Sequence, residues 1–326
     1  MFKVFVTRQI PEVGIKMLEE KGFLVKVGPQ AKPSQEELLR GVKGVDAILS
    51  VLTERIDAEV MQAAGKQLKI IANFAVGYDN IDVVEAKKRW IIVTNTPTLE
   101  ITESVAEHAM ALILALARRI PEADQYAKAE KYQGWDPFLL CGTDVYKKTL
   151  GIVGLGRIGK ALATRAARGF SMQLLYTDPE KDEIFEQTLG ARYVPLEALL
   201  QQSDFINLHV PLLPTTRHLI STPEFALMKK TAFLINTSRG PVVEEKALLR
   251  ALRTKRIAGA ALDVFECEPA IDCDIRDNLE LKSFPNVILT PHIASATYEA
   301  RASMARCAAE NIIAVLSGAQ PLNPAR

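Results

Sequence analysis

Thr149-Leu-Gly-Ile-Val-Gly154-Leu-Gly156-Arg157-Ile158-Gly159 says more about the fold than any other stretch of the chain. A short apolar strand runs into Gly154-x-Gly156-x-x-Gly159, and a helix pattern then extends from Lys160 to Arg168. In such a turn the first glycine permits the tight bend and the second admits a pyrophosphate close to the backbone. The third lets the helix pack against the strand. The pyrophosphate then meets unsatisfied N–H groups at the positive end of the helix. A lone glycine triplet is weak evidence. Here a second strand, Gln173–Thr177, follows and ends at Asp178, about 20 residues past the glycines, where a ribose-binding acid belongs. The spacing predicts a dinucleotide site built on Gly154, Gly156, Gly159 and Asp178.

Outward from this unit the chain alternates strand and helix signals, the pattern of α/β layers around parallel sheets. Before it, strands are expected at 3–7, 23–27, 47–51, 68–73 and 91–94, with helices at 11–21, 34–40 and 58–64. After it, strands are expected at 205–209, 232–236, 259–262 and 287–289, then a last helix at 297–316. The expected fold class is α/β, with two doubly wound parallel-sheet domains and a ligand-binding cleft between them. Residues 1–100 with 291–326 would form one domain, and residues 101–290 the dinucleotide-binding one. An almost wholly apolar helix pattern from Glu103 to Arg119 reads as buried between domains or subunits.

Composition narrows the class further. Hydrophobic residues make up 48% and charged residues 24% of the 326-residue chain, as in an ordinary globular protein. A formal net charge of +1 gives no global attraction to nucleic acid or to anionic membranes. Met1 to Arg8 reads as a first strand rather than a signal peptide, and the longest apolar run, Ala109 to Ala117, is too short to span a bilayer. No nucleic-acid or membrane partner is expected, and the expected location is cytoplasmic. Cys141, Cys267, Cys273 and Cys307 form no CxxC pair and have no histidine at metal spacing. They are expected to be free thiols in a reducing compartment, with no metal site. Asp272 and Asp274 read as loop residues, since no third ligand is evident.

Three polar residues stand just past the ends of successive strands, where ligands bind in open parallel sheets. Arg239, in Asn236-Thr-Ser-Arg239-Gly240-Pro, offers a guanidinium that binds a carboxylate through two parallel hydrogen bonds. Taken alone it is equally an arginine of an ordinary turn. Glu268 follows the next strand, in Asp263-Val-Phe-Glu-Cys-Glu268-Pro269, and His292 follows the one after, in Thr290-Pro-His292-Ile293. An imidazole is the natural proton donor to a carbonyl oxygen that receives a hydride, and a carboxylate on its other nitrogen fixes the tautomer. The remaining histidines carry less. His108 reads as a satisfied core residue, His218 as a solvated turn residue, and His209 as lining the cofactor groove through its backbone, just before Pro211.

On these residues the chain resembles the D-isomer-specific 2-hydroxyacid dehydrogenases over essentially its whole length. The resemblance rests on Gly154-Leu-Gly-Arg-Ile-Gly159, Asn236-Thr-Ser-Arg-Gly-Pro-Val-Val243, Asp263-Val-Phe-Glu-Cys-Glu-Pro269 and Thr290-Pro-His-Ile293, in that order. It is most similar to the glyoxylate/hydroxypyruvate reductase branch, through Asn73-Phe-Ala-Val-Gly-Tyr-Asp-Asn-Ile-Asp82 and Pro291-His-Ile-Ala-Ser-Ala-Thr-Tyr-Glu-Ala-Arg301. The resemblance implies a flavodoxin-like substrate domain, a Rossmann NAD domain, and a homodimer that reduces a small 2-keto acid with NAD(H). It implies that Arg239 holds the substrate, His292 delivers the proton and Glu268 orients it. Val76 and Gly77 would bind the carboxylate through their N–H groups, Leu52 would cap the substrate, and Trp135 would reach in from a partner subunit. Arg157 and Ile158 would take the pyrophosphate. Further cofactor contacts are implied at His209, Val210, Pro211, Thr237, Ser238, Asp263 and Ala294.

Related activities stay open as alternatives. Phosphonate (phosphite) dehydrogenases are similar around Tyr132-Gln-Gly-Trp-Asp-Pro137, but carry a lysine where this chain has Val76. Formate dehydrogenases pair their histidine with glutamine, whereas Glu268 is an acid. A short D-3-phosphoglycerate dehydrogenase and a D-lactate dehydrogenase remain, as does a different class, an NAD-sensing protein like the C-terminal binding protein corepressors. The lack of an extra tail, disordered linker or basic patch favours an enzyme. Asp178 would bind both ribose hydroxyls of NAD and repel the 2′-phosphate of NADP, so NADH is the expected cofactor.

Overall fold

A parallel strand covered by helices on both faces is apolar throughout. The strands Ile70–Phe74 and Phe205–Leu208 are buried at every position, and each lies inside a parallel sheet. The computed structural model describes residues 1–268 and 281–325. The chain divides into two compact units, Met1–Ile101 with Ala296–Arg326, and Thr102–Ser295.

In the smaller unit, β1 (Lys3–Val6), β2 (Leu24–Val27), β3 (Ala47–Val51), β4 (Ile70–Phe74) and β5 (Ile92–Thr94) pair in parallel in the order β2-β1-β3-β4-β5. This is the flavodoxin-like winding, with its switch point between β1 and β3. Helix Gln35–Gly41 starts with a capping box between Ser34 and Glu37, and Asp57 and Asp82 cap the next two helices. The last helix, Tyr298–Leu316, returns to pack on Glu12–Glu20 and on β4. A Cβ at Gly14 would lie 2.6 Å from the Ala305 carbonyl oxygen, so glycine there sets how closely the two helices approach.

The larger unit adds β6 (Thr149–Val153), β7 (Gln173–Thr177), β8 (Arg192–Tyr193), β9 (Phe205–Leu208), β10 (Phe233–Asn236), β11 (Gly259–Leu262) and β12 (Val287–Leu289). All seven are parallel, in the order β12-β11-β10-β9-β6-β7-β8. The order reverses between β6 and β9, which makes that junction the ligand-binding crevice of a Rossmann sheet. Leu208, Asn236, Leu262 and Leu289 stand side by side in register. The loops that follow them therefore leave along one edge.

The structure departs from the sequence reading in several places. Helix Leu99–Ala117 starts a turn before the expected Glu103, and its Ala106, Ala109, Ile113 and Leu116 pack with Leu150, Ile152 and Leu162 in the core of the larger unit. All-round apolarity says that a helix is buried, but not against what. The helices Val83–Lys88 and Ile120–Lys128 and the two-residue strand β8 carry too little periodicity to be read. Cys141 and Cys307 are free thiols, but Cys267 is disulfide-bonded, against the expectation of four free thiols. Spacing in sequence does not report which thiols a loop brings together. Cys273, Asp272 and Asp274 lie outside the described residues. Among the described residues, no helix is long and apolar enough to cross a membrane, and no group of three or more His, Cys, Asp or Glu could hold a metal ion.

Candidate active site

β6 ends in Gly154, whose φ of +96° favours glycine and whose N–H donates to the Thr177 carbonyl at 2.9 Å. A Cβ on Gly154 would sit 2.9 Å from the His209 carbonyl carbon, and one on Gly159 would lie 2.5 Å from the Gly154 carbonyl oxygen. The protein itself requires these two glycines. Gly156 is different, because it is exposed and a Cβ there would meet no atom of the described residues within 4 Å. Its missing side chain leaves room on the outside of the loop.

Helix Arg157–Phe170 opens at Gly156 with no side-chain cap and no acid in its first turn, which leaves N–H donors and positive potential for an anion. Arg157 is exposed and Ile158 half-buried beside them. Asp178 closes the loop from below: its Oδ2 accepts the Leu155 N–H at 2.7 Å and its Oδ1 the Glu180 N–H at 3.4 Å. Lys181 is engaged by Glu186 at 3.1 Å, and Lys160 by Asp182 at 2.5 Å. Further along the edge, the Thr237 hydroxyl is buried without a partner among the described residues. An open glycine face, uncapped helix N–H groups, a carboxylate against the glycine loop and an orphaned hydroxyl together fit a nicotinamide dinucleotide.

β9 ends one residue before the expected His209, so His209, Val210 and Pro211 follow it directly, and the Gly154 turn packs on the His209 backbone. Asn207 Nδ2 lies 3.1 Å from His209 Nε2. Burial lowers the imidazole pKa from its ordinary 6.5 to about 4, so the ring is neutral at physiological pH.

Next along the edge comes the turn after β10. Asn236 Oδ1 accepts from the Ser238 N–H at 3.0 Å and from its hydroxyl at 2.8 Å, while Asn236 Nδ2 donates to the Arg239 carbonyl at 2.9 Å. That network fixes a half-buried Arg239, whose Nη1 donates to the Ser238 carbonyl at 2.8 Å. A Cβ on Gly240 would collide with the Phe265 carbonyl, so this turn lies directly on the loop that leads to Glu268. From the third strand end, His292 Nδ1 stands 2.7 Å from Glu268 Oε1. A carboxylate only accepts, so Nδ1 carries the proton and Nε2 is left for other chemistry. Glu268 Oε2 is buried without a partner among the described residues.

His292 has a φ of +53°, in a region that side chains with a Cβ seldom adopt. The turn that holds it is built on Asp263, whose side chain is almost fully buried. Asp263 Oδ1 accepts from the Thr290 hydroxyl at 2.6 Å and from the Ile293 N–H at 2.9 Å. Its Oδ2 accepts from the Ala294 N–H at 2.8 Å, and its carbonyl from the His292 N–H at 2.9 Å. Burial raises the carboxyl pKa, but hydrogen bonds from His108, Thr290, Ile293 and Ala294 outweigh it and hold the group below its ordinary value. His108 Nε2 stands 3.2 Å from the Thr290 hydroxyl and 3.5 Å from Asp263 Oδ1. Sequence reading left His108 in the core with no link to the site, and no spacing rule joins position 108 to 263. His218, expected as a solvated turn residue, is partly exposed with its Nε2 2.6 Å from Glu266 Oε1, and the Glu245 and Glu266 N–H groups each donate to the other's carboxylate.

In the smaller unit, Leu52, Val76 and Gly77 are half-buried on the loops after β3 and β4. The Val76 carbonyl accepts from Asn95 Nδ2 at 2.6 Å and the Gly77 carbonyl from Asn73 Nδ2 at 2.9 Å. Asn73 also pairs with Ser50 and Asn80, and Asn80 Nδ2 donates to the Glu54 carbonyl at 3.0 Å. Both carbonyls of the Val76–Gly77 pair are thus tied back by side-chain amides. Trp135, in the larger unit, is 84% exposed.

Residues 110–294 match the sequence model of the D-isomer specific 2-hydroxyacid dehydrogenase, NAD binding domain. A glyoxylate reductase from Korarchaeum cryptofilum is 52% identical over 98% of this chain and 95% of its own. A crystal structure of a protein from Thermus thermophilus superposes with a TM-score of 0.91 at 40% identity, covering 100% of both chains. An NADPH-dependent glyoxylate/hydroxypyruvate reductase from Sinorhizobium meliloti superposes with a TM-score of 0.83 at 32% identity, covering 100% of this chain and 98% of its own.

Proposed function

The chain belongs to the D-isomer-specific 2-hydroxyacid dehydrogenase family, and from that premise we propose that it reduces glyoxylate, and hydroxypyruvate beside it, to the 2-hydroxy acid with NADH. The 2.7 Å pairing of His292 Nδ1 with Glu268 carries this reading. A bound NADH supplies the hydride. The chain's own groups supply the rest. Arg239 holds the keto-acid carboxylate and carbonyl by a bidentate contact. His292 holds a proton at Nε2 for the oxygen that becomes an alkoxide, and Glu268 stabilises the imidazolium that carries it. In the smaller unit, proposed as the substrate-binding one, the Val76 and Gly77 N–H groups are the carboxylate ligands and Leu52 is the apolar cap. Val76 brings no charge for a phosphite dianion, which favours a keto acid over phosphite.

We also assign the working form to a homodimer. Tyr132, Trp135 and Phe138 are 59%, 84% and 86% exposed on one segment of the larger unit. A cavity of about 490 Å³ in the same unit is lined by Leu116, Phe205 and Phe233 together with the charged Arg119, Glu122 and Asp204. Exposed aromatics on one segment suit mutual docking of two copies.

The test follows NADH oxidation with glyoxylate, hydroxypyruvate, pyruvate and phosphohydroxypyruvate, and NAD reduction with phosphite. Fast turnover of glyoxylate or hydroxypyruvate, lost at least about a hundredfold in His292→Ala with NADH binding retained, is the expected result. Activity with phosphite alone would overturn the substrate, and NADH binding with no turnover at all would point to the sensor class.

A further inference from the structure

We propose that His108 is a positioning residue for the proton donor: through Asp263 and Thr290 it holds the turn that keeps His292 facing Glu268. The inference rests on the reading of His292 given above. Asp263 gathers donors from either side of His292, the Thr290 hydroxyl before it and the Ile293 and Ala294 N–H groups after it, and its carbonyl takes the His292 N–H. One buried residue thus defines the turn. Its carboxylate is 1% exposed, so it depends on every donor that compensates its charge.

Three of those donors belong to the turn itself and move with it. His108 does not. It projects from helix Leu99–Ala117, whose neighbouring residues Ala106, Ala109 and Ile113 are locked in the core. Its contact therefore ties a strained turn to a rigid element. Proton accounting explains why a histidine stands in an otherwise apolar helix. The Thr290 hydroxyl gives its hydrogen to Asp263 Oδ1 at 2.6 Å, so towards His108 it can only accept, and the carboxylate can only accept as well. His108 Nε2 must therefore donate. Without that donor the carboxylate is under-satisfied, and His292 relaxes from φ +53° towards commoner backbone geometry and away from Glu268.

The test compares His108→Leu, which lacks a donor, with His108→Gln, whose amide N–H reaches the same acceptors, in the full chain. The expected result for His108→Leu is a kcat for glyoxylate at least about tenfold lower, with KM and the Kd for NADH within about threefold. His108→Gln restores kcat to within about threefold of wild type. Thr290→Val, which removes the bridging hydroxyl, shows the same kcat loss should His108→Leu fail to fold. In a His292→Ala background, His108→Leu lowers the residual rate no further. Wild-type kcat in His108→Leu, failure of glutamine to rescue, or an equal loss in both backgrounds overturns the proposal. If His292→Ala itself keeps full turnover, the proton-donor reading fails instead, and the two failures are told apart.

Discussion

Glu268 Oε1 lies 2.7 Å from His292 Nδ1, while its other carboxylate oxygen is buried without a partner among the described residues. The carboxyl group therefore meets one imidazole and nothing else among the described residues. Glu268→Gln keeps an acceptor at this distance but removes the carboxylate that stabilises the imidazolium in the proposed step. Reductive kcat/KM is expected to fall about tenfold. A kcat/KM that matches wild type would reduce Glu268 to a packing role.

Arg239 is held by the Asn236 network and by Ser238, which fixes the direction of its guanidinium fork. Arg239→Lys keeps the charge and loses the fork. Steady-state kinetics with glyoxylate should show kcat/KM lower by about a hundredfold or more, with NADH affinity little changed. A loss below about threefold would mean that a point charge suffices.

At Gly156 a Cβ meets no atom of the described residues within 4 Å, so the packing around it does not need glycine there. Gly156→Val should leave the melting temperature nearly unchanged while weakening NADH binding by about tenfold or more, about 1.4 kcal/mol. Calorimetric titration beside thermal unfolding separates the two. Parallel losses in both would place the need for glycine in the protein instead.

Asp178, the proposed ribose ligand, follows β7 with Lys181 and Lys160 committed to Glu186 and Asp182, leaving neither lysine free to offset a 2′-phosphate. NADH should be preferred over NADPH by at least about tenfold in kcat/KM, and Asp178→Ala should erase most of that preference. Equal use of both cofactors by the wild type would refute the charge argument.

His209 is predicted to make stability depend on pH. Burial lowers its pKa from 6.5 to about 4, so the folded value lies below the unfolded one. As pH falls through that window the unfolded chain binds a proton that the folded chain refuses, and stability is lost. The urea midpoint should drop between about pH 7 and about pH 5, and drop less in His209→Gln. Identical slopes in the two proteins would remove His209 as the cause.

Much of this was legible in the chain. The run Thr149 to Gly159 reads as strand, turn and helix because its glycines and apolar residues are local requirements, met within one turn of backbone. The helix beginning at Arg157 rather than Lys160 is a boundary effect of the kind that hydrogen bonding, not pattern, decides. By contrast, β8 has two residues and exists because Leu175 and Tyr176 offer it a partner. The partner of His218 is hidden from the sequence because Glu266, which it meets, is 48 positions away.

Residue type and short-range spacing were enough for the α/β alternation and the dinucleotide loop, and for naming Arg239, Glu268 and His292 as candidates. Folding of the whole chain was needed to bring the ends of Leu208, Asn236, Leu262 and Leu289 into register, which sets the loops after them along one edge. The same packing carried His108 to Asp263 and Thr290 and set His292 at a positive φ. Strand order and the meeting of distant side chains come from packing the whole chain into a shared core, which no local window of sequence contains.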